Sequence, residues 1–261
     1  MGGRDLTSAA MDIFKDLAGS YEQALKVATL LQDRRWKKWL LTRAMIGPGD
    51  LVLDLGCGTC LLEEQIGRTG GAAVGLDLSN PMIRMGQAKR LRCVRLLVLG
   101  DAVALPFKDS SFDKVVSCYV PKYARMEGFA QEVVRVVRPG GTIVMYDFAT
   151  PGGIFSPFLA FYIFGVIRLT GVFLGAARRK SASTFRRLPE IIHETTWDSS
   201  AVLQFTANGA SGGTVERLSW GAAAGFVATK SAVFTDGSRW KEEERVGVDS
   251  PPATPSVKPP S

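Results

Sequence analysis

Histidine is nearly absent from this chain of 261 residues, which holds 1, and cysteine is sparse at 4. A single histidine excludes the His-rich zinc and non-haem iron sites, which draw on several imidazoles. So few cysteines over this length, with no apolar cleavable leader at the start, argue against a disulfide-stapled secreted scaffold and for a reducing interior. No internal repeat of fixed period is visible. Acidic residues are missing between Asp147 and Glu190, whereas Arg168, Arg178, Arg179, Lys180, Arg186 and Arg187 all fall there. The formal surplus is +7, so six of its charges are confined to one acid-free stretch and the rest of the chain is close to neutral. That locality decides between partners: a basic patch beside apolar sequence suits an anionic membrane surface, and no aromatic platform of a nucleic-acid module accompanies it.

What is present is a hydrophobic content of 46%, enough for one large core. Residues 12–46 carry apolar side chains at helical spacing, among them Ile13, Leu17, Tyr21, Leu25, Ala28 and Leu31, until Gly47-Pro48-Gly49 stops the run. Residues 47–150 alternate short β-rich runs with helix-like stretches; the runs are 51–55, 72–77, 94–99, 114–118 and 142–148. Strands that are apolar without a period of two, separated by helices, are what a parallel sheet covered on both faces requires. An apolar and basic insertion occupies 151–197, and a closing helix and hairpin occupy 198–231, with the turn at Trp220-Gly221. From about residue 232 onward Pro, Ser and charge dominate, as in an unstructured tail.

The turn Asp54-Leu55-Gly56-Cys57-Gly58-Thr59 stands where a buried strand ends and a helix begins, and its glycines let backbone N–H groups approach a ligand. Asp77 closes the second strand about twenty residues on, where a carboxylate can accept both hydroxyls of a ribose. Asp101 follows the third, placed to take the exocyclic amine of an adenine. Each aspartate read alone is equally a cap or a solvated loop charge. Three such signals on one edge of a sheet point to a ligand at the strands' carboxyl ends. A dinucleotide fingerprint is missing, because Leu61 stands where GxGxxG needs its third glycine. Cys57 and Cys60 form a CxxC, but no second pair or histidine follows at zinc spacing, so no metal is expected.

The motifs resemble those of the class I S-adenosylmethionine-dependent methyltransferases. Asp54-Leu55-Gly56-Cys57-Gly58-Thr59 is similar to their first motif and Gly75-Leu76-Asp77-Leu78-Ser79 to their second. Gly100-Asp101-Ala102, Leu105-Pro106-Phe107 and Ser111-Phe112-Asp113 resemble their third block, and Val136-Val137-Arg138-Pro139-Gly140-Gly141 the turn before the fifth strand. Within that superfamily the closer resemblance is to the ubiquinone and menaquinone biosynthesis C-methyltransferases, carried by Phe14, Tyr21, Arg34-Arg35-Trp36-Lys37, the run Arg135 to Gly141, and Asp147-Phe148 with Pro151. The chain departs at Cys60, where the family has a third glycine, and at Ser117-Cys118-Tyr119-Val120-Pro121-Lys122-Tyr123, where it has Gly-x-Arg-Asn.

The resemblance implies an α/β fold: a doubly wound, mostly parallel seven-stranded Rossmann-like sheet with a C-terminal antiparallel hairpin. It implies S-adenosylmethionine as cofactor, held by Asp54, Gly56, Cys57, Gly58, Asp77, Leu78, Met82, Asp101, Ala102 and Ser117. The implied reaction is methylation of a ring carbon in a prenylated quinol or other lipophilic phenol. Such a carbon becomes nucleophilic when a neighbouring phenol loses its proton, and Asp147, Tyr119, Tyr123 and His193 are the candidates for receiving it. Two alternatives stay open: methylation of another lipid or small phenol, and a non-catalytic cofactor-binding membrane adaptor.

The stretch 154–176 is about as long as a membrane span. Spanning there would put strands of one sheet on opposite sides of a bilayer, so a lid over a lipid pocket is preferred, resting in the interface. The resulting expectation is a cytoplasmic protein held peripherally at the inner face of the membrane, without nucleic acid, with a homodimer left open.

Overall fold

A computed structural model describes residues 21–150, 165, 192 and 196–232 of the chain. Its elements run α1 (Tyr21–Ala28), α2 (Asp33–Ala44), β1 (Leu51–Leu55), α3 (Leu61–Arg68), β2 (Ala72–Asp77), α4 (Asn80–Ala88), β3 (Val94–Leu99), β4 (Phe112–Cys118), α5 (Met126–Val136), β5 (Val137–Phe148), α6 (Trp197–Ala207), β6 (Ala210–Leu218) and β7 (Ala223–Lys230). The strands form one seven-stranded sheet in the order β3-β2-β1-β4-β5-β7-β6. The four pairings from β3 to β5 are parallel, and β5 with β7 and β7 with β6 are antiparallel. This is the expected α/β architecture with its closing hairpin.

The missing apolar–polar alternation has a direct cause: both faces of the central strands are buried. Val116 and Val144 belong to a core with Trp36, Leu40, Ala44 and Ile66, while Val115, Ile143 and Met145 belong to another with Phe129, Val133 and Phe205. Successive residues thus serve opposite faces, and both faces demand apolar side chains. The edge strand β3 is the exception, with Leu96 and Leu99 exposed. Gly225 on β7 lies under the indole of Trp39, whose Nε1 donates to Glu216 at 2.9 Å, and a Cβ there would run into the ring. Gly225→Ala is expected to lower stability by about 1–3 kcal/mol through overpacking, read as a lower thermal midpoint; an unchanged midpoint would mean that the ring swings away freely.

The helical run read from 12 to 46 is interrupted. Leu30 and Leu31 adopt left-handed φ values of 49° and 64°, and Leu31, counted on the apolar face, is 63% exposed. Thr29 makes the break: its Oγ1 donates to the Leu25 carbonyl at 2.8 Å and accepts the Asp33 N–H at 3.4 Å, ending α1 and opening α2. Phe14, His193, nearly all of the insertion 151–197 and nearly all of the tail from 232 lie outside the described residues. Where the chain leaves the insertion, Ile192 is buried, its carbonyl accepts from Thr150 at 3.2 Å, and the Trp197 indole donates to the Phe148 carbonyl at 2.9 Å. No helix among the described residues is long and apolar enough to cross a membrane.

Candidate active site

The order of strands reverses between β1 and β4, and a crevice opens at the carboxyl ends of the strands there, as doubly wound sheets require. After β1 the chain turns at Gly56 (φ 75°) and Gly58 (φ 54°), and the N–H groups of Gly56 and Cys57 both donate to the Leu76 carbonyl, at 2.7 and 3.1 Å. A Cβ on Gly56 would collide with the side chain of Val120, so this floor is open only to glycine. Asp77 ties the turn down: Oδ2 accepts the Gly58 N–H and Oδ1 the Ser79 N–H, each at 2.8 Å. Burial lifts the Asp77 carboxyl above its ordinary value, opposed by those two N–H groups. Across the crevice, Asp101 accepts the Val103 N–H at 3.1 Å.

These residues surround a cavity of about 920 Å³, its open mouth included. Gly56, Gly58, Asp77, Leu78 and Met82 line one side, Asp101 and Ala102 another, and Tyr119, Val120 and Tyr123 close it beyond β4. Asp54, Cys57 and Ser117 do not reach the wall. Asp54 is buried with Oδ1 unpartnered among the described residues, and burial, reinforced by Glu63, pushes its carboxyl well up. Ser117 donates to the Leu55 carbonyl at 2.8 Å, stitching β4 to β1. The Cys57 thiol is pushed well up, first by its hydrogen bond to Cys60 and then by burial, while that bond pulls Cys60 down.

Of the four candidates for the proton, Tyr119 and Tyr123 stand in the cavity wall and His193 lies outside the described residues. The structure does not bring Asp147 to the cavity. Its carboxylate is fully buried, paired with Lys122 Nζ at 2.8 Å, and accepts the N–H groups of Lys122 and Phe148 at 2.9 and 2.7 Å. Burial raises Asp147 and lowers Lys122, and their mutual attraction opposes both shifts. The ammonium also lies 4.2 Å from the centre of the Tyr123 ring, so this pair anchors the loop after β4 to the end of β5.

Three participants were not legible as site residues. Tyr21 of α1 lines the cavity. Asp33 of α2 gathers the Tyr119 hydroxyl at 2.8 Å, the Tyr146 hydroxyl at 3.1 Å and Lys37 Nζ at 2.8 Å. Burial, followed by the negative charge of Asp33, holds the Tyr119 phenol well above its ordinary value. Lys122 is the third. In the sequence Tyr21 showed only its helical spacing and its part in the family resemblance, and Asp33 nothing, because their partners lie far along the chain.

Comparison with known proteins follows the same outline. Residues 53–145 match the family described as "Methyltransferase domain". A demethylmenaquinone methyltransferase of Tropheryma whipplei (strain Twist) is 32% identical over 164 residues, 60% of this chain and 66% of that protein. One of Mycobacterium marinum is 35% identical over 149 residues, 57% of this chain and 61% of that protein. The chain therefore spans just under two thirds of the length of the curated relatives it matches. A SAM-dependent methyltransferase from Aquifex aeolicus superposes with a TM-score of 0.53 at 16% identity, covering 74% of this chain and 89% of that one, which is a likeness of fold.

Proposed function

We propose, from a match to a methyltransferase domain at residues 53–145, that the chain is an S-adenosylmethionine-dependent C-methyltransferase acting on a prenylated quinol such as demethylmenaquinol. The observation that carries the reading is the cavity at the strand ends, where two aspartates face glycine backbone on one side and tyrosines on the other. Its residues fit the donor. Asp77 has lone pairs left for ribose hydroxyls, Asp101 would accept from an adenine amine, and Leu78 and Met82 would supply apolar contact. The glycine floor would leave room for the methionine end, and a Cβ on Gly56 would meet the side chain of Val120. When bound, the donor supplies an electrophilic methyl group on a sulfonium.

What remains for the chain is to align the acceptor, exclude water and take a proton. The Tyr119 hydroxyl already donates to Asp33, so its oxygen can accept the proton of an acceptor phenol while its own moves toward Asp33. Asp33 acts through Tyr119 and is a positioning residue, its charge balanced by Lys37. Tyr119→Phe is expected to lower kcat by roughly 10²-fold or more with donor affinity unchanged. Asp33→Asn is expected to shift the pH profile of kcat while leaving donor binding intact. Turnover of Tyr119→Phe at the wild-type rate would remove the relay.

A lipophilic acceptor and a membrane surface are supported by two features. The cavity wall is rich in apolar groups, including Leu76, Val103, Val120 and Ala124. Trp220 is 90% exposed, and its neighbour Ser219 contacts Gln32 and Trp36. Leu30, Leu31, Arg34 and Arg35, which flank Gln32 and Trp36 in the chain, are exposed as well, a combination suited to an anionic interface. Labelled S-adenosylmethionine with reduced membrane quinones is the decisive assay. Label in a lipid-soluble product of one added methyl is expected, and label in water-soluble products alone would defeat the quinol. The loop 119–123 departs from Gly-x-Arg-Asn and favours, as second reading, a different phenolic lipid; product mass separates the two.

A further inference from the structure

We propose that Cys57, Cys60 and Glu63 form a buried site for a thiophilic divalent cation, Zn²⁺ by preference, behind the cofactor turn. The proposal is independent of the methyl-donor reading. The sequence offered a CxxC without a second pair or a histidine; folding adds the missing donor. Cys57 lies in the turn after β1, Cys60 immediately precedes α3 with φ 62°, and Glu63 is in the first turn of that helix. The three follow one another at intervals of three residues, so the winding of turn and helix brings them to one side. One ligand atom from each, two sulfurs and a carboxylate oxygen, lie within 4.8 Å of one another, and all three residues are buried.

The second observation is the state of Glu63. It is 0% exposed, and neither carboxylate oxygen accepts a hydrogen bond from an N–H or hydroxyl group among the described residues; the one polar hydrogen beside it is that of the Cys60 thiol. A carboxylate left so deep without donors is costly, and such groups are ordinarily paired, protonated or bound to a metal. Asp54, close enough to Glu63 to feel its charge, also leaves Oδ1 unpartnered, and the attractions of Lys37 on Asp54 and of Lys89 on Glu63 are outweighed by burial, so both carboxyls are held well above their ordinary values.

The donor set selects the ion. Thiolates favour soft and borderline metals over Mg²⁺ and Ca²⁺, and two sulfurs with one oxygen leave a tetrahedral zinc one position for water. With Zn–S bonds of about 2.3 Å, two sulfurs on one tetrahedral ion stand about 3.8 Å apart. The sulfur–sulfur edge therefore needs to close by no more than about 1 Å, and the sulfur–oxygen edges by no more than about 1.3 Å. On binding, two S–H bonds break, two S–Zn bonds and one O–Zn bond to Glu63 form, and the two thiol protons, with the Glu63 carboxyl proton where that group is protonated, go to solvent with no change of oxidation state. Because Cys57 sits between Gly56 and Gly58, the ion would brace the turn on which those cavity residues stand.

The test uses the full chain, reduced with a phosphine, stripped with a chelator and titrated with Co²⁺ as a spectroscopic stand-in for zinc. One equivalent is expected to give a thiolate-to-cobalt charge-transfer band with tetrahedral d–d bands, both abolished by added Zn²⁺. Cys57→Ser and Cys60→Ser are each expected to lose the charge-transfer intensity. Glu63→Gln, nearly isosteric, should weaken binding on the order of tenfold or more, since outer-shell partners alone are worth that much. Cys93→Ser should change nothing. A reduced wild type without a stoichiometric band overturns the site, and that result needs no variant to fold. So does a band that survives both Cys57→Ser and Cys60→Ser, or one lost in Cys93→Ser. A disulfide between Cys57 and Cys60 that re-forms under the phosphine and blocks cobalt would replace the metal reading with a redox one.

Discussion

Asp77→Ala is expected to weaken S-adenosylmethionine binding by roughly 10²- to 10⁴-fold, counting two hydrogen bonds to a charged group at about 1.5–3 kcal/mol each. An ionised carboxylate offers about four lone-pair sites. The N–H groups of Gly58 and Ser79 occupy two of them, and two remain for the ribose of the proposed donor. The substitution would remove the proposed partner of that ribose and also untie the turn after β1 from the end of β2, so the floor of the cavity loosens. Asp77→Asn keeps a single acceptor and presents an amide to one of the N–H groups, and its loss should fall between. Acidification acts on the same atom. Burial raises the carboxyl above its ordinary 3.8, so donor affinity should begin to fall at a higher pH than an exposed aspartate would give. Calorimetry on wild type and variant checks both. Absence of measurable binding by the wild type would overturn the donor site, and wild-type affinity in Asp77→Ala would overturn the role of this residue.

Lys122→Met is expected to cost about 3–5 kcal/mol, because it leaves the Asp147 carboxylate buried without its counter-charge. For a domain of this size that is a fall of roughly 6–20 °C in the thermal midpoint. The side chains of Lys122 and Asp147 are 2% and 0% exposed, so water cannot take the place of the ammonium. The pH dependence has a definite sign. Without Lys122 the one attraction from a charged side chain that lowers the Asp147 pKa is gone, and its value in the folded state rises further above that in the unfolded chain. Such a group contributes its full stability below the unfolded value and loses it as pH rises through the folded one. The deficit of Lys122→Met should therefore be larger at pH 8 than at pH 5, and Lys122→Met/Asp147→Asn should recover much of it. A deficit independent of pH, or under about 1 kcal/mol, would mean that the pair is not the anchor of this loop.

The fold was legible where local chemistry suffices. The strands β1, β2 and β3 were bounded correctly because each is a short apolar run stopped by glycine or aspartate. The fourth and fifth were read too short, since Phe112 and Val137 pair across a shift in register that no single residue announces. The break at Leu30–Leu31 was invisible, having neither glycine nor proline, because a threonine hydroxyl makes it. At the site, glycines and aspartates at strand ends stood out, being the residues that turn geometry itself demands. Asp147 drew attention as a carboxylate at the end of a strand, but its chemistry is decided by Lys122, 25 residues earlier. Asp33, inside the helical run read from 12 to 46, carried no signal of its own, and it holds a tyrosine 86 positions away.

The sequence by itself determined the layered α/β plan, the turn that needs glycine at 56 and 58, and the aspartates at the ends of successive strands. These follow from periodicity and backbone sterics, which act over a few residues. Only the tertiary structure decided what each polar group is for: Asp147 an anchor paired with Lys122, Asp33 a holder of tyrosines, Glu63 an unpartnered carboxylate beside two thiols. The physical reason is that the state of a buried charge is set by whichever groups surround it, and those arrive from distant parts of the chain only when the sheet has closed.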